Sequence, residues 1–202
     1  MALNNRIGVL ALQGAFAKHI EMIESLGWSA SLVKTPEELN LADALIIPGG
    51  ESTTMGKLLT ENSMTTPLQE FIKSGRPIFG TCAGMIILAQ RISGSEQPHL
   101  SAIAIEVERN AYGRQKESFE ASFKINNLPG PEFTGVFIRA PKIVSVSPEV
   151  ELMAEFEGVP VMVRQGNILA SSFHPELTSD TRVHEFFISM INGYVKKAGK
   201  SA

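Results

Sequence analysis

The residue best suited to nucleophilic chemistry is the single cysteine, Cys82, in the run Gly80-Thr81-Cys82-Ala83-Gly84. An apolar, strand-like stretch, Pro77-Ile-Phe79, leads into it, and the helix-forming Met85-Ile-Ile-Leu-Ala89 follows. Gly-x-nucleophile-x-Gly between strand and helix is the form of a nucleophile elbow, a tight turn that presents the reactive atom at the head of a helix. Glycines flank it because the chain reverses sharply and neighbouring backbone comes close. Oriented N–H groups at a helix start favour the thiolate, the reactive form. The next backbone N–H, that of Ala83, is free to stabilise a developing oxyanion. Taken alone, the pentapeptide fits a buried cysteine packed beside a small turn equally well.

A thiol nucleophile needs a base, and four histidines are available. His19 falls on a first amphipathic helix, His99 in a polar loop after Pro98, and His184 beside Val183 on the last helix. These three read as surface or packing residues. His174 follows the strand-like Ile168 to Ser172, within Phe173-His174-Pro175-Glu176-Leu177. Strand ends are where α/β sheets gather catalytic groups. Pro175 biases His174 toward extended backbone, and in extended chain residues two apart share a side. Glu176 can then reach the imidazole and fix its tautomer. His-Pro-Glu alone also fits a solvated strand end with an incidental carboxylate. Together with the elbow it makes Cys82, His174 and Glu176 the favoured triad.

A third element is Pro48-Gly49-Gly50-Glu51-Ser52-Thr53-Thr54 at a strand end. Paired glycines let the backbone turn an N–H into a cleft, so Gly49 and Gly50 are candidates for the second half of the oxyanion hole. Ser52 is the expected cap of the following helix, with Glu51 adding a carboxylate near its start. A phosphate loop would need a Gly-Lys-Ser/Thr ending, which is missing, and this excludes Walker-type nucleotide hydrolysis. Arg109 and Arg139, both near expected strand ends, suit bidentate carboxylate binding. Taken singly, each also fits a surface role. No His, Cys, Asp or Glu grouping has metal-ligand spacing, so no metal is expected.

These residues need a scaffold of alternating elements. Ile7 to Leu12, Ser29 to Val33, Ala44 to Ile47 and Pro77 to Phe79 read as buried parallel strands. Phe16, Ile20, Ile23 and Leu26 recur at helical spacing, and Gly27 supplies the stop. Pro36 to Leu41 and Thr66 to Ser74 read as further helices. The second half differs. Ile103 to Glu108, Ser118 to Lys124, Val136 to Arg139, Val161 to Gln165 and Ile168 to Ser172 read as strands, several alternating with period two. Arg182 to Lys197 is the closing helix, and the polar tail after it is expected to fray. The expected architecture is an α/β three-layer sandwich, with a mostly parallel central sheet and additional antiparallel strands, in one domain over residues 1–202.

Composition narrows the functions. Lys plus Arg number 18 against 21 Asp plus Glu, a net charge of −3, which argues against a mainly electrostatic nucleic-acid binder. Aromatic residues are not interleaved with basic ones, so a base-stacking surface has no support. No apolar run approaches the ~18 residues of a membrane span. The start is too short in its apolar run for a secretory signal. One cysteine excludes an internal disulfide and fits a reducing, cytoplasmic setting.

The elbow Gly80-Thr-Cys-Ala-Gly84, the loop Pro48-Gly-Gly-Glu-Ser-Thr53 and His174-Pro-Glu176 together resemble the class I (triad) glutamine amidotransferases. More narrowly, Leu10-Ala-Leu-Gln-Gly14, the Gly-Glu-Ser-Thr loop, Asn110-Ala-Tyr-Gly-Arg-Gln115 and Phe173-His-Pro-Glu-Leu177 resemble the glutaminase subunits of pyridoxal 5′-phosphate synthase. The resemblance implies Cys82 as nucleophile, with His174 and Glu176 completing the relay. It implies glutamine contacts at Gly50, Glu51 and Ser52, at Arg109, and at Ile138 and Arg139. It also implies that no cofactor is held, and that ammonia passes to a separate barrel-shaped synthase subunit whose binding switches the glutaminase on. An acceptor in trans also suits a chain whose expected single domain leaves no room for a second. Helix and loop surface in the first half is the expected docking face. The alternative acceptor is another ammonia-using synthase, such as one of histidine or nucleotide biosynthesis.

Overall fold

The computed structural model describes residues 6–109, 111 and 118–198. Of the segment Asn110 to Gln115 only Ala111 falls among them, and the tail from residue 199 also lies outside the described residues.

The first half alternates as its apolar pattern requires. Strand β1 (Arg6–Leu10) is followed by α1 (Phe16–Ser25), β2 (Ser29–Val33), α2 (Pro36–Asn40), β3 (Ala44–Ile47), α3 (Ser52–Glu61), α4 (Thr65–Lys73), β4 (Ile78–Thr81) and α5 (Ala83–Leu88). Gly27 takes a positive φ of 77° just past α1, the role expected of its lack of a Cβ. Helix α2 starts on a capping box: the Thr35 side chain accepts from Glu38 N–H while the Glu38 carboxylate accepts from Thr35 N–H. The second half adds β5 (Ala89–Ile92), β6 (Ile103–Glu108), β7 (Ser118–Phe123), β8 (Phe133–Ile138), β9 (Lys142–Val146), β10 (Glu151–Phe156), β11 (Val159–Gln165) and β12 (Ile168–Ser171). A 3-10 turn (Pro175–Leu177) and α6 (Arg182–Ala198) close the chain. Strands β5, β9 and β10 are not among the expected ones.

The central sheet has seven strands in the order β10-β11-β12-β4-β3-β1-β2. Strands β12, β4, β3, β1 and β2 pair in parallel, while β10 and β11 are antiparallel. A three-stranded sheet (β5-β6-β9) and the β7-β8 hairpin stand apart from it. This is the expected sandwich with its added antiparallel strands.

Successive side chains of a strand point to opposite faces, and the core divides accordingly. Ile7, Val9, Ala44, Ile46 and Phe79 face α1, α6 and the aromatic side of the β7-β8 hairpin. Leu10, Leu45, Ile47 and Ile78 face the layer that holds Leu39, Met55, Leu59, Leu68, Phe71 and Ile87. Both layers are needed because an all-buried parallel strand must be covered on both sides. The C-terminal ends of β3, β4 and β12 lie side by side as a result, and each carries one of the sequence motifs into the same crevice.

Candidate active site

The elbow forms where β4 ends. Cys82 N–H donates to the Ser171 carbonyl at 2.8 Å, tying it to β12, and the Cys82 carbonyl accepts from Ile86 N–H at 3.2 Å as α5 begins. Between these ties Cys82 is held at φ 49° and ψ −104°, a conformation that L-residues rarely adopt. Such strain persists only where the surroundings enforce it. The flanking glycines show what enforces it. A Cβ on Gly80 would lie 2.7 Å from the Gly84 carbonyl, and one on Gly84 would run into the Ile47 carbonyl. Helix α5 therefore packs directly on the backbone of β3 and β4, leaving Cys82 at the turn.

His174 arrives from the other side. Its N–H donates to the Val136 carbonyl of β8 at 2.8 Å, and its backbone sits at φ −105° and ψ 89°. Nδ1 lies 2.7 Å from Glu176 Oε1. The expectation of one continuous extended stretch does not hold. Pro175 starts a 3-10 turn, and it is this turn that brings the Glu176 carboxylate back to the ring. Gly49 lies against the imidazole so closely that any Cβ there would strike it. The loop glycine, the histidine and the elbow are thus in one place.

The electrostatics favour an ion pair. Burial works against the His174 imidazolium, but hydrogen bonds and charge from Cys82 and Glu176 outweigh it and raise its pKa to about 10. For Glu176, burial again opposes charge. His19, His174 and its own backbone N–H prevail and hold it below the ordinary carboxylate range. The state this implies is imidazolium against carboxylate, in a row with Cys82.

A cleft of about 330 Å³ opens over this row, lined by Gly14, Ala15, Gly49, Gly50, Glu51, Ser52, Cys82, Ile86, Arg109, Ile138, Arg139 and His174. Every residue expected to contact glutamine is on its wall. The Ile138 carbonyl lies 3.8 Å from the Cys82 Sγ, and Arg139, just past β8, takes a positive φ of 43°. Glu176 stands behind His174, and Ala83 opens α5 beneath the sulfur. The Gly49 carbonyl accepts from Ala15 N–H at 3.0 Å, which fixes one side of the Gly49–Gly50 peptide.

Two expectations need correction. Ser52 does not cap α3. Glu51 does, accepting from Thr53 N–H at 3.0 Å and Thr54 N–H at 2.7 Å, because a carboxylate one residue earlier reaches both free N–H groups. Burial opposes its charge, but these bonds and the Thr54 hydroxyl bring its pKa down to about 2. Ser52 Oγ donates instead to Gln97 Oε1. Gln97 also accepts from Arg109 at 2.8 Å, and Arg109 reaches Glu51 at 3.4 Å. The cap, the arginine and the glutamine are so tied together, with Glu51 and Arg109 on the wall of the cleft. The second correction concerns the surface half of the reading of His19 and His184: both are packed, fully buried, and polar-bonded to each other. His99 is the loop residue expected, held between the Gln97 and Gln90 carbonyls.

Sequence reasoning also missed Gln13 and Gln97. Gln13 Oε1 accepts from Glu51 N–H at 2.8 Å and lies where a Cβ of Gly50 would be. Its position before Gly14 was the available signal. Nothing in the spacing points to Gln97. Among the described residues no grouping of His, Cys, Asp or Glu could hold a metal ion.

A cysteine elbow, a histidine–carboxylate pair and a glycine loop thus meet at one crevice of a three-layer α/β sandwich. Residues 9–193 match the SNO glutamine amidotransferase family, and the chain belongs to that family. It is 50% identical over 192 residues to the pyridoxal 5′-phosphate synthase subunit PdxT of Bacillus licheniformis, covering 95% of this chain and 97% of that one. It is 52% identical over 186 residues to the corresponding PdxT protein of Anoxybacillus flavithermus, covering 92% and 96%. A crystal structure of a glutamine amidotransferase superimposes with a TM-score of 0.88 at 48% identity, over 92% of this chain and 98% of that one. A chain of PurLQS from Thermotoga maritima shares the fold, with a TM-score of 0.71 at 14% identity over 91% and 97%.

Proposed function

We propose that this chain hydrolyses L-glutamine to L-glutamate and ammonia through Cys82, His174 and Glu176, and delivers the ammonia to a separate synthase subunit that builds pyridoxal 5′-phosphate. The observation that carries the chemistry is His174, hydrogen-bonded to Glu176, lining together with Cys82 a cleft walled by Arg109 and Arg139. The destination of the ammonia rests on the likeness to the two PdxT proteins, which extends over nearly their full length.

The Cys82 thiolate attacks the side-chain amide carbon. The electron pair of the C=O bond moves onto oxygen, where N–H groups of Ala83 and the Gly49–Gly50 loop receive it. One such donor typically lowers the barrier by ~2.7–4 kcal/mol. His174 gives its proton to the departing nitrogen, so that ammonia leaves and a γ-glutamyl thioester remains. The now neutral imidazole takes a proton from water, which attacks the thioester and releases glutamate. Glu176 holds the ring by Nδ1 throughout, leaving Nε2 for sulfur and substrate. Arg139 or Arg109 holds the α-carboxylate, Glu51 faces the α-ammonium, and Gly50, Ser52 and Ile138 complete the grip.

One domain over residues 1–202 and a cytoplasmic setting belong to the same reading; among the described residues no helix is long and apolar enough to cross a membrane. Mixing the chain with the barrel component of a pyridoxal 5′-phosphate synthase, a pentose phosphate, a triose phosphate and glutamine tests it. Glutamine-dependent appearance of the pyridoxal chromophore is expected, and His174→Ala abolishes it while ammonia salts restore it. Recovery of a cyclase or synthetase instead, in a pull-down from cell extract, would move the acceptor to another pathway.

A further inference from the structure

We propose that His19 is a positioning residue of the triad: its Nε2–H, set between Thr81 Oγ1 and Glu176 Oε2, orients the carboxylate that in turn orients His174. This rests on the triad reading above and extends it one residue deeper.

The observation behind it is an unpartnered oxygen. Glu176 uses Oε1 for His174, while its buried Oε2 has no hydrogen-bond partner. A buried ionised oxygen left bare is costly. Among the described residues the one basic nitrogen other than His174 within ion-pair reach of Glu176 is His19 Nε2, 3.4 Å from Oε2. The same nitrogen lies 3.2 Å from Thr81 Oγ1, on the residue that precedes Cys82. His19 on α1 therefore touches both ends of the triad, the elbow through Thr81 and the acid through Glu176. Its side chain is fully buried.

The proton order follows from which atoms are paired. His19 Nδ1 lies 3.1 Å from His184 Nε2, and His184 Nδ1 has no partner. A bare lone pair on Nδ1 leaves His184 with its proton on Nε2, donating to His19 Nδ1. His19 must then carry its own proton on Nε2, the atom that faces Thr81 and Glu176. That proton is set toward Thr81 Oγ1 and, with Nε2 3.4 Å away, toward Glu176 Oε2, while Oε1 accepts from His174 Nδ1–H. His174 Nε2 is left facing Cys82. One order of protons then runs through the chain, and it keeps His174 Nδ1 on the carboxylate and Nε2 toward the sulfur. Burial outweighs the nearby carboxylate and keeps His19 below the ordinary histidine range, so it serves as a neutral N–H donor and not as a second cation.

Long-range proton–nitrogen correlation spectra of the chain with ¹⁵N-labelled histidine test this at neutral pH, with the His19 signals assigned by their loss in His19→Gln. A neutral His19 protonated on Nε2 is expected. An Nδ1-protonated ring, or an imidazolium, overturns the proposal. Kinetics of the chain with its synthase supply the second readout. His19→Leu is expected to lower kcat roughly 10- to 100-fold with KM little changed, the usual cost of losing an outer partner that orients a functional group. His19→Gln, which keeps a donor near Nε2, is expected to recover part of that loss. Equal activity of the two variants, or wild-type kcat in His19→Leu, overturns it. If His19→Leu does not fold, the spectra and His19→Gln still decide. A Cys82→Ala variant that kept its turnover would instead strike the triad reading itself, so the two failures are separable.

Discussion

The front and the back of the site are built by opposite means. At the front, Cys82 and Arg139 are aimed into the cleft by strained backbone, each at positive φ. At the back, Glu176, His19, Thr81 and His184 sit on ordinary backbone and are aimed by one another, fully or almost fully out of water. Strain at the front costs roughly 1–3 kcal/mol per residue. Polar burial at the back costs more unless every group is paired. The apolar cluster containing Phe79, Phe173 and Phe187 flanks the back of the site, and its burial offsets both. A backbone device can present a reactive atom to solvent, whereas a side-chain device can keep proton positions fixed without solvent.

This contrast can be broken first at its sharpest point. Cys82→Ala is expected to cut glutamine-dependent ammonia release roughly 10⁴-fold or more, read with the synthase present, because a triad member removed alone nearly abolishes the reaction. Glu176→Gln keeps the shape of the back but allows the wrong tautomer. A loss of about 10³- to 10⁴-fold in kcat is expected, and only a slight loss would show that the back does not set proton positions. Next comes the backbone device. Gly84→Ala places a Cβ against the Ile47 carbonyl and should lower unfolding free energy by about 1–3 kcal/mol, measured by urea titration.

The back should also show in the acid limb of stability. Burial, with a smaller effect of His19, lowers His184 from 6.5 to about 3, and His19 is lowered as well. Between those values the unfolded chain binds protons that the folded chain refuses, so stability falls as pH drops from 6.5 toward 3. His184→Gln is expected to flatten that limb by about 1.4 kcal/mol per pH unit, one proton's worth. An unchanged slope would mean His184 is not held neutral by the fold. The smallest effect belongs to a cap remote from the site: Thr35→Ala should cost ~1 kcal/mol and leave turnover alone.

The same contrast explains what the sequence made legible. Elements with a strong period were recovered within a residue or two, among them β2, β3, β6 and α6. The front of the site was legible because glycine, cysteine and proline carry backbone meaning: the elbow and the glycine loop announce a turn before any fold is known. Strands β5, β9 and β10 were missed because short or irregular runs, such as Ala89-Gln-Arg-Ile92 with its exposed middle pair, carry no clear alternation. The back was illegible for another reason. A histidine on an amphipathic helix looks the same whether its face meets apolar packing or a carboxylate far along the chain, and only tertiary contact separates the two. Ser52 lost the cap to Glu51 because both are good N-cap residues and one position decides between them.

The most direct test of a thiolate poised over a glutamine pocket is the labelling of the chain by a diazo-ketone analogue of glutamine, followed by intact-mass and peptide mapping. One adduct, on Cys82, forming more slowly as glutamine is added, is the expected result. An adduct elsewhere, or labelling of Cys82 at a rate indifferent to glutamine, would contradict it.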